Sequence, residues 1–144
     1  MYAQQKLYSS KANMTLTSSM IWGSQWDQIM IWMKNVDNES QSSKSVVNSV
    51  GMGNFGTISG VDDKWSSTTA PSPTGYQEIY KVKNVDDLAG NVYEWTLEAY
   101  TTNLRVLRGG YYNNTDSSYT RADSRGNCNP SYSLTYDGSR STLY

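Results

Sequence analysis

The chain has 144 residues with 12 basic and 13 acidic side chains, a formal charge of −1. It contains no histidine and one cysteine, Cys128, which excludes histidine triads, His/Cys zinc sites, haem ligation and an internal disulfide. The length suits one domain, the near-neutral charge argues against nucleic acid as a partner, and no apolar run of membrane length or secretory h-region is present, so no membrane insertion is expected.

In chain order, a short apolar stripe (Tyr2, Ala3, Leu7) predicts the remainder of a helix over 1–8. The clearest helix is expected from Ser24, with Ser24 as cap and Asp27 at the third helical position. Trp26, Ile29, Met30 and Met33 then follow at i, i+3, i+4 and i+7, a stripe that faces a core. From Asn35 to Gly75 the chain turns polar and rich in Ser, Thr, Asn and Gly, which reads as long loops with one short strand near 55–58. Strands are expected at Ile79–Val82, Val92–Thr96, Arg105–Leu107 and Ser139–Leu143, each bounded by Gly, Asn or Asp. The result is an α+β domain over 1–144.

Within it, Gly90-Asn91 supplies a turn that tolerates positive φ, and Val92, Glu94 and Thr96 alternate with Tyr93 and Trp95. Trp95 is expected in the core. Glu94, lodged between two aromatics, needs a partner if buried, and Arg108, Arg121, Arg125 and Arg140 are the candidates. The acidic pairs Asp62-Asp63 and Asp86-Asp87 fit turns, because adjacent side chains diverge. No phosphate loop, nucleotide fingerprint or esterase elbow occurs.

Composition changes sharply at Arg105. All seven lysines precede it and all five arginines lie from it onward, and residues 105–144 contain no Lys, Glu, Gln, Met or Trp. Six of the twelve tyrosines lie in that tail, among Ser, Asn, Asp, Thr and Gly. This is the vocabulary of adaptable binding surfaces: tyrosine gives large, rigid contact area and small polar residues give hydrogen bonds at low entropic cost. The division is a scaffold over 1–104 and a variable ligand-binding region over 105–144. The candidate contact residues are Tyr111, Tyr112, Asn113, Asn114, Asp116, Ser118, Tyr119, Asp123, Asn127, Asn129, Tyr132, Ser133, Tyr136 and Asp137. They alternate with framework residues Gly109, Gly110, Arg121, Arg125, Pro130, Gly138 and Arg140.

Several motifs occur in a recognisable order. The segment 87–96, DLAGNVYEWT, resembles the D-x-x-G-N-V-W-E-W-T signature of the formylglycine-generating (sulfatase-modifying factor) family. Arg105-Val106-Leu107-Arg108-Gly109-Gly110 is similar to its R-V-x-R-G-G strand, and Gly138-Ser139-Arg140 to its closing G-F-R. Arg121 and Arg125 match its R-x-x-x-R pair, and 18–32 resembles the segment that precedes the signature in bacterial and prophage members. The resemblance implies a C-type lectin fold of the formylglycine-generating type, loop-rich, with a small twisted antiparallel sheet and one or two helices.

The resemblance also bears on chemistry. Oxidases of the family carry a cysteine pair after the R-G-G strand that binds copper, but here 111–119 contains no sulfur, and Cys128 reads as a small residue in a variable loop. No catalytic residue is therefore expected. Related domains bind calcium, which would fall to Asn91 or Glu94, but no dense cluster of oxygen ligands surrounds them, so neither metal nor other cofactor is expected. The tail most resembles that of the variable proteins of diversity-generating retroelements, whose C-terminal repeat is rewritten at adenines. Asn codons of the AAY type reach Tyr, Ser, Asp, Thr, Gly, Arg and Cys, and cannot reach the five types missing here.

Three readings of function follow. The first is a non-enzymatic binding protein whose ligand is a protein or glycan on another cell or particle, at a cell surface or on a phage. The second is a structural or receptor-binding module of a phage or prophage particle. The third is a diverged oxidase. Family domains open with a strand that pairs with the G-F-R strand, and the helix-like start at Met1 leaves no place for it. Either the domain extends beyond this chain, or strand 139–143 has an open edge through which copies self-associate.

Overall fold

The computed structural model describes residues 17–35, 54, 70–76, 78–113 and 122–143. The helix expected over 1–8 and the strand near 55–58 lie outside them, as does Arg121. The described elements are β1 (Ser18–Met20), α1 (Gly23–Asn35), a 3-10 turn (Glu78–Tyr80), β2 (Lys81–Val82), β3 (Val85–Asp86), β4 (Tyr93–Ala99), β5 (Arg105–Arg108), β6 (Arg125–Cys128), β7 (Asp137–Ser139) and β8 (Ser141–Leu143).

Helix α1 begins earlier than the sequence suggests. Trp22 is the cap residue, and its N–H donates to Gln25 Oε1 at 2.9 Å, one half of a capping box. Asp27 is thereby free of the cap and serves the sheet instead. The apolar stripe does face inward: Trp26 is fully buried and Met33 nearly so, packed with Ile21, Leu88, Ala89 and Ala122, while Ile29 and Met30 pack at the margin. The Trp26 indole N–H donates to the Ala122 carbonyl at 2.8 Å, so burying that ring leaves no polar atom unsatisfied.

The main sheet has strand order β6-β5-β4-β7. β4 and β6 run antiparallel to β5, whereas β7 lies parallel to β4 with Glu94 opposite Gly138. The sheet is therefore mixed rather than purely antiparallel. The chain leaves β6 on one edge and crosses the sheet through 129–136 to reach the other edge, which fixes the direction of β7. In β4, Glu94, Trp95 and Thr96 are all buried, so this central strand is covered on both faces. One face (Glu94, Thr96, Val106, Arg108) looks toward α1. On the other, Trp95 and Leu107 pack with Met20, and Tyr93, Leu97 and Cys128 join them.

Two expected strands take other forms. Ile79–Val82 becomes the 3-10 turn followed by two strand residues, because Lys83 and Asn84, both at positive φ (50° and 64°), close a tight hairpin onto β3. Ser139–Leu143 is interrupted at Arg140 and divides into β7 and β8. β8 pairs antiparallel with β1, Ser18 opposite Leu143, so one edge of the terminal strand is occupied from within the chain. Ile21 ties this ribbon to the main sheet: its N–H donates to Arg140 O at 3.2 Å and its carbonyl accepts Leu97 N–H at 3.0 Å. Strand β6 was not foreseen, since Arg-Gly-Asn-Cys has neither apolar alternation nor β-branched residues.

Candidate ligand-binding face

The sheet face turned away from α1 is covered by the C-terminal segments. Tyr111 and Tyr136 stack with ring centroids 4.4 Å apart and an interplanar angle of 24°. Tyr93 tilts against Tyr111 at 5.1 Å and meets Tyr136 edge-on at 6.4 Å, and Tyr112 closes the group at 5.7 Å from Tyr111. Residues just after β5 are thus clipped to residues just before β7 across Tyr93 of β4, in geometries that aromatic rings favour. A backbone bond from Tyr93 N–H to Tyr136 O at 2.8 Å holds the same junction.

Next to this cluster lies a groove of about 510 Å³, floored by Met20, Trp95 and Leu97 and walled by Arg105, Pro130 and Tyr132. The loop that forms its wall is fixed by Asn129, whose side-chain oxygen accepts Ser131 N–H at 3.0 Å and whose carbonyl accepts Tyr132 N–H at 3.0 Å. Tyr132 stands 64% exposed above it, with Ser133 exposed alongside.

The candidate contact residues do not all converge. Tyr111, Tyr132, Ser133 and Tyr136 belong to this face, and Asn129 shapes it. Tyr112 is buried, and its N–H donates to Asn91 O at 3.1 Å, so it is framework rather than contact surface. Asn127 is exposed but lies opposite Val106, on the helix side of edge strand β6. Asp123 is half-buried beside Arg108, which donates to its carbonyl at 2.9 Å. Asn113 is exposed beside Tyr112, whereas Asn114, Asp116, Ser118 and Tyr119 lie outside the described residues. Asp137 is half-buried, and neither carboxylate oxygen makes a hydrogen bond of good geometry. Burial raises its pKa and outweighs weaker lowering contacts from the Trp95 side chain and the Leu134 backbone. Sequence reasoning missed Tyr93, which lies upstream of the compositional boundary. Its place in the alternation beside Trp95 was the available signal. Cys128 sits in β6 against the Trp95 cluster, not in a loop.

The framework residues hold this face from behind. Arg140 clamps Glu94 through two bonds, Nε to Oε2 at 2.9 Å and Nη2 to Oε1 at 2.6 Å. Its Nη2 also donates to the Asp86 and Asp87 carbonyls, at 3.1 and 3.2 Å. Among the described arginines eligible as the partner of Glu94, Arg140 is therefore the one bonded to it, Arg121 lying outside the described residues. Arg108 and Arg125 instead share Asp27 of α1, each bonded to a different carboxylate oxygen. The Trp26 ring lies between guanidinium groups, 5.7 Å from that of Arg108 and 6.0 Å from that of Arg140. At the Gly90-Asn91 turn, φ is 72° and 62°. The Asn91 side chain joins both sides of Ser72, accepting its N–H at 2.7 Å and donating to its carbonyl at 3.0 Å.

These bonds bear on calcium. The amide atoms of Asn91 are bonded to Ser72 and the oxygens of Glu94 to Arg140. No group of three or more acidic, histidine or cysteine side chains suited to a metal ion occurs among the described residues. The two residues that the resemblance offers as ligands therefore do not fit that ion here.

One family description, the sulfatase-modifying factor enzyme 1-like domain, matches residues 13–142, a span that includes the arginine clamps and the Gly90-Asn91 turn. The chain belongs to this family. No curated protein matches it. Among solved structures, this family domain is similar to Treponema denticola variable protein 1, with a TM-score of 0.55 and 19% identity. That match covers 87% of this chain and 47% of the other, so the chain spans about half the length of that structure. At this identity the likeness is one of fold, which is C-type lectin-like. No described helix is long and apolar enough to cross a membrane.

Proposed function

We propose that this domain is a non-enzymatic ligand-binding protein, the variable protein of a diversity-generating retroelement, with residues 105–144 as its rewritten surface. The observation that carries this reading is the division of labour in the tail. Tyr132, Ser133, Asn113 and Asn127 are exposed and enter neither the core clusters nor the arginine clamps. Between them, Arg108, Arg125, Gly138 and Arg140 carry the strands and ion pairs that hold the scaffold. A surface that is to be rewritten needs this separation, because substitutions away from packed or paired groups change stability little. The likeness in fold to a variable protein supports the same reading, as does the absence of Lys, Glu, Gln, Met and Trp after Leu104.

Sequencing the DNA around the gene tests it. The reading expects a near-copy of the segment for residues 105–144, differing only at adenines, beside a reverse transcriptase gene. A neighbouring cluster of phage tail genes without such a copy would instead make the domain a module of a phage particle.

A further inference from the structure

The groove beside the tyrosine cluster pairs an apolar floor with a cation that has no anionic partner among the described residues. Arg105 is half-buried, and its side chain donates only to carbonyls of its own hairpin, Leu104 at 3.1 Å and Thr101 at 3.4 Å. No carboxylate lies within ion-pair distance of it among the described residues. In this it differs from Arg108, Arg125 and Arg140, each of which is paired with an acid. The volume of about 510 Å³ falls within the range of ligand clefts. A cation at the wall of an apolar cleft favours a partner that brings both an apolar group and a negative charge, since leaving either unmatched costs free energy on binding.

We propose that this groove takes an acidic peptide segment of a protein ligand, an apolar side chain resting over Trp95 and Leu97 while a neighbouring carboxylate pairs with Arg105. The inference rests on the ligand-binding reading and narrows its ligand to protein. The apolar floor of Met20, Trp95 and Leu97 suits an aliphatic side chain better than a sugar ring, although Ser131, Tyr132 and Ser133 of the wall carry hydroxyls, so an acidic glycan is the competing ligand in the test. Met20, Trp95 and Leu97 belong to the scaffold and Arg105 opens the variable region, and none of the four is a candidate contact residue, so they would set a preference that loop 130–133 then modulates.

The test is a titration of the isotopically labelled full chain, followed by amide, indole and guanidinium resonances. The probes are acetyl-Leu-Glu-Leu-amide, its Gln counterpart and N-acetylneuraminic acid. The Glu peptide is expected to shift the Trp95 indole and Arg105 Nε signals and to bind about fivefold tighter than the Gln peptide. That preference is expected to vanish in Arg105→Gln. If the variant does not fold, the Glu/Gln comparison on the wild-type chain decides alone. Equal binding of the two peptides, no shift at Trp95 at millimolar peptide, or shifts with N-acetylneuraminic acid only would each overturn the proposal. Shifts confined to Tyr111 and Tyr136 would also overturn it while leaving the ligand-binding reading intact, and that reading has its own test in the flanking DNA.

Discussion

Arg140 holds Glu94 from the one position where the chain passes from the main sheet to the β1–β8 ribbon. The parallel register places Gly138 opposite Glu94, so the guanidinium two residues on reaches back to grip the carboxylate at 2.6 and 2.9 Å. Glu94 is buried, with an 8% exposed side chain, and that of Arg140 is 23% exposed. Burial raises the pKa of Glu94, and the clamp opposes that shift.

Arg140→Ala is therefore expected to cost about 3–5 kcal/mol, because it strands a buried charge. Replacing both partners with apolar residues of similar volume, as in Glu94→Leu with Arg140→Met, is expected to recover most of that loss. Urea unfolding of the two variants separates the cost of breaking the pair from its net worth.

Asp27 serves two arginines of very different exposure. The side chain of Arg108 is 1% exposed and that of Arg125 is 48% exposed. Burial lowers the pKa of Arg108, and the charge of Asp27 opposes that. Asp27→Ala is expected to cost about 3 kcal/mol through stranded Arg108, whereas Arg125→Ala costs less than about 1 kcal/mol, as exposed pairs do. Equal losses in chemical denaturation would contradict this asymmetry.

Two glycines of the tail differ in what a side chain would meet. At Gly109, φ is +84° and an added Cβ would lie 2.8 Å from the Leu88 carbonyl oxygen. Gly109→Ala is expected to destabilise by more than about 1 kcal/mol. At Gly126 the nearest atom would be Leu107 Cβ at 3.7 Å, ordinary contact, so Gly126→Ala is expected to be near neutral. Thermal melts of the pair check the contrast.

Asp137 predicts an unusual pH dependence. Burial raises its carboxyl above the ordinary 3.8, and Asp87 is raised for the same first reason. The folded state then holds these protons more tightly than the unfolded chain. As pH rises through the window above 3.8, the unfolded state binds fewer protons and these two groups cost stability. Asp137→Asn is expected to raise the melting temperature at pH 7 and to lose that advantage near pH 3. A variant equally stabilised at both values would contradict the assignment.

How far the sequence reached follows from what each feature depends on. Helix α1 and the core role of Trp95 depend on local periodicity, and both were legible before the fold was known. The partner of Glu94 depends on the register of β7 against β4, so four arginines were equivalent on paper. Tyr112 shares the composition of the contact residues, yet its backbone bond to Asn91 O buries it beneath them. Tyr93 packs into the tyrosine cluster of the candidate face but precedes the compositional boundary at Arg105, which is drawn by residue type and not by position in space. The boundary separates two chemistries, and the face is built from both.

On the proposed function, the exposed tail residues are free to vary on a scaffold that is not. The most direct measurement is a library containing all amino acids at Asn113, Asn127, Tyr132 and Ser133, and in parallel at Trp26, Gly109 and Arg140, scored for protease resistance of the displayed chain. Most substitutions at the first four positions are expected to leave resistance within about twofold of wild type, and most at the last three to abolish it. Equal intolerance in the two groups would contradict a tail surface that is free to vary.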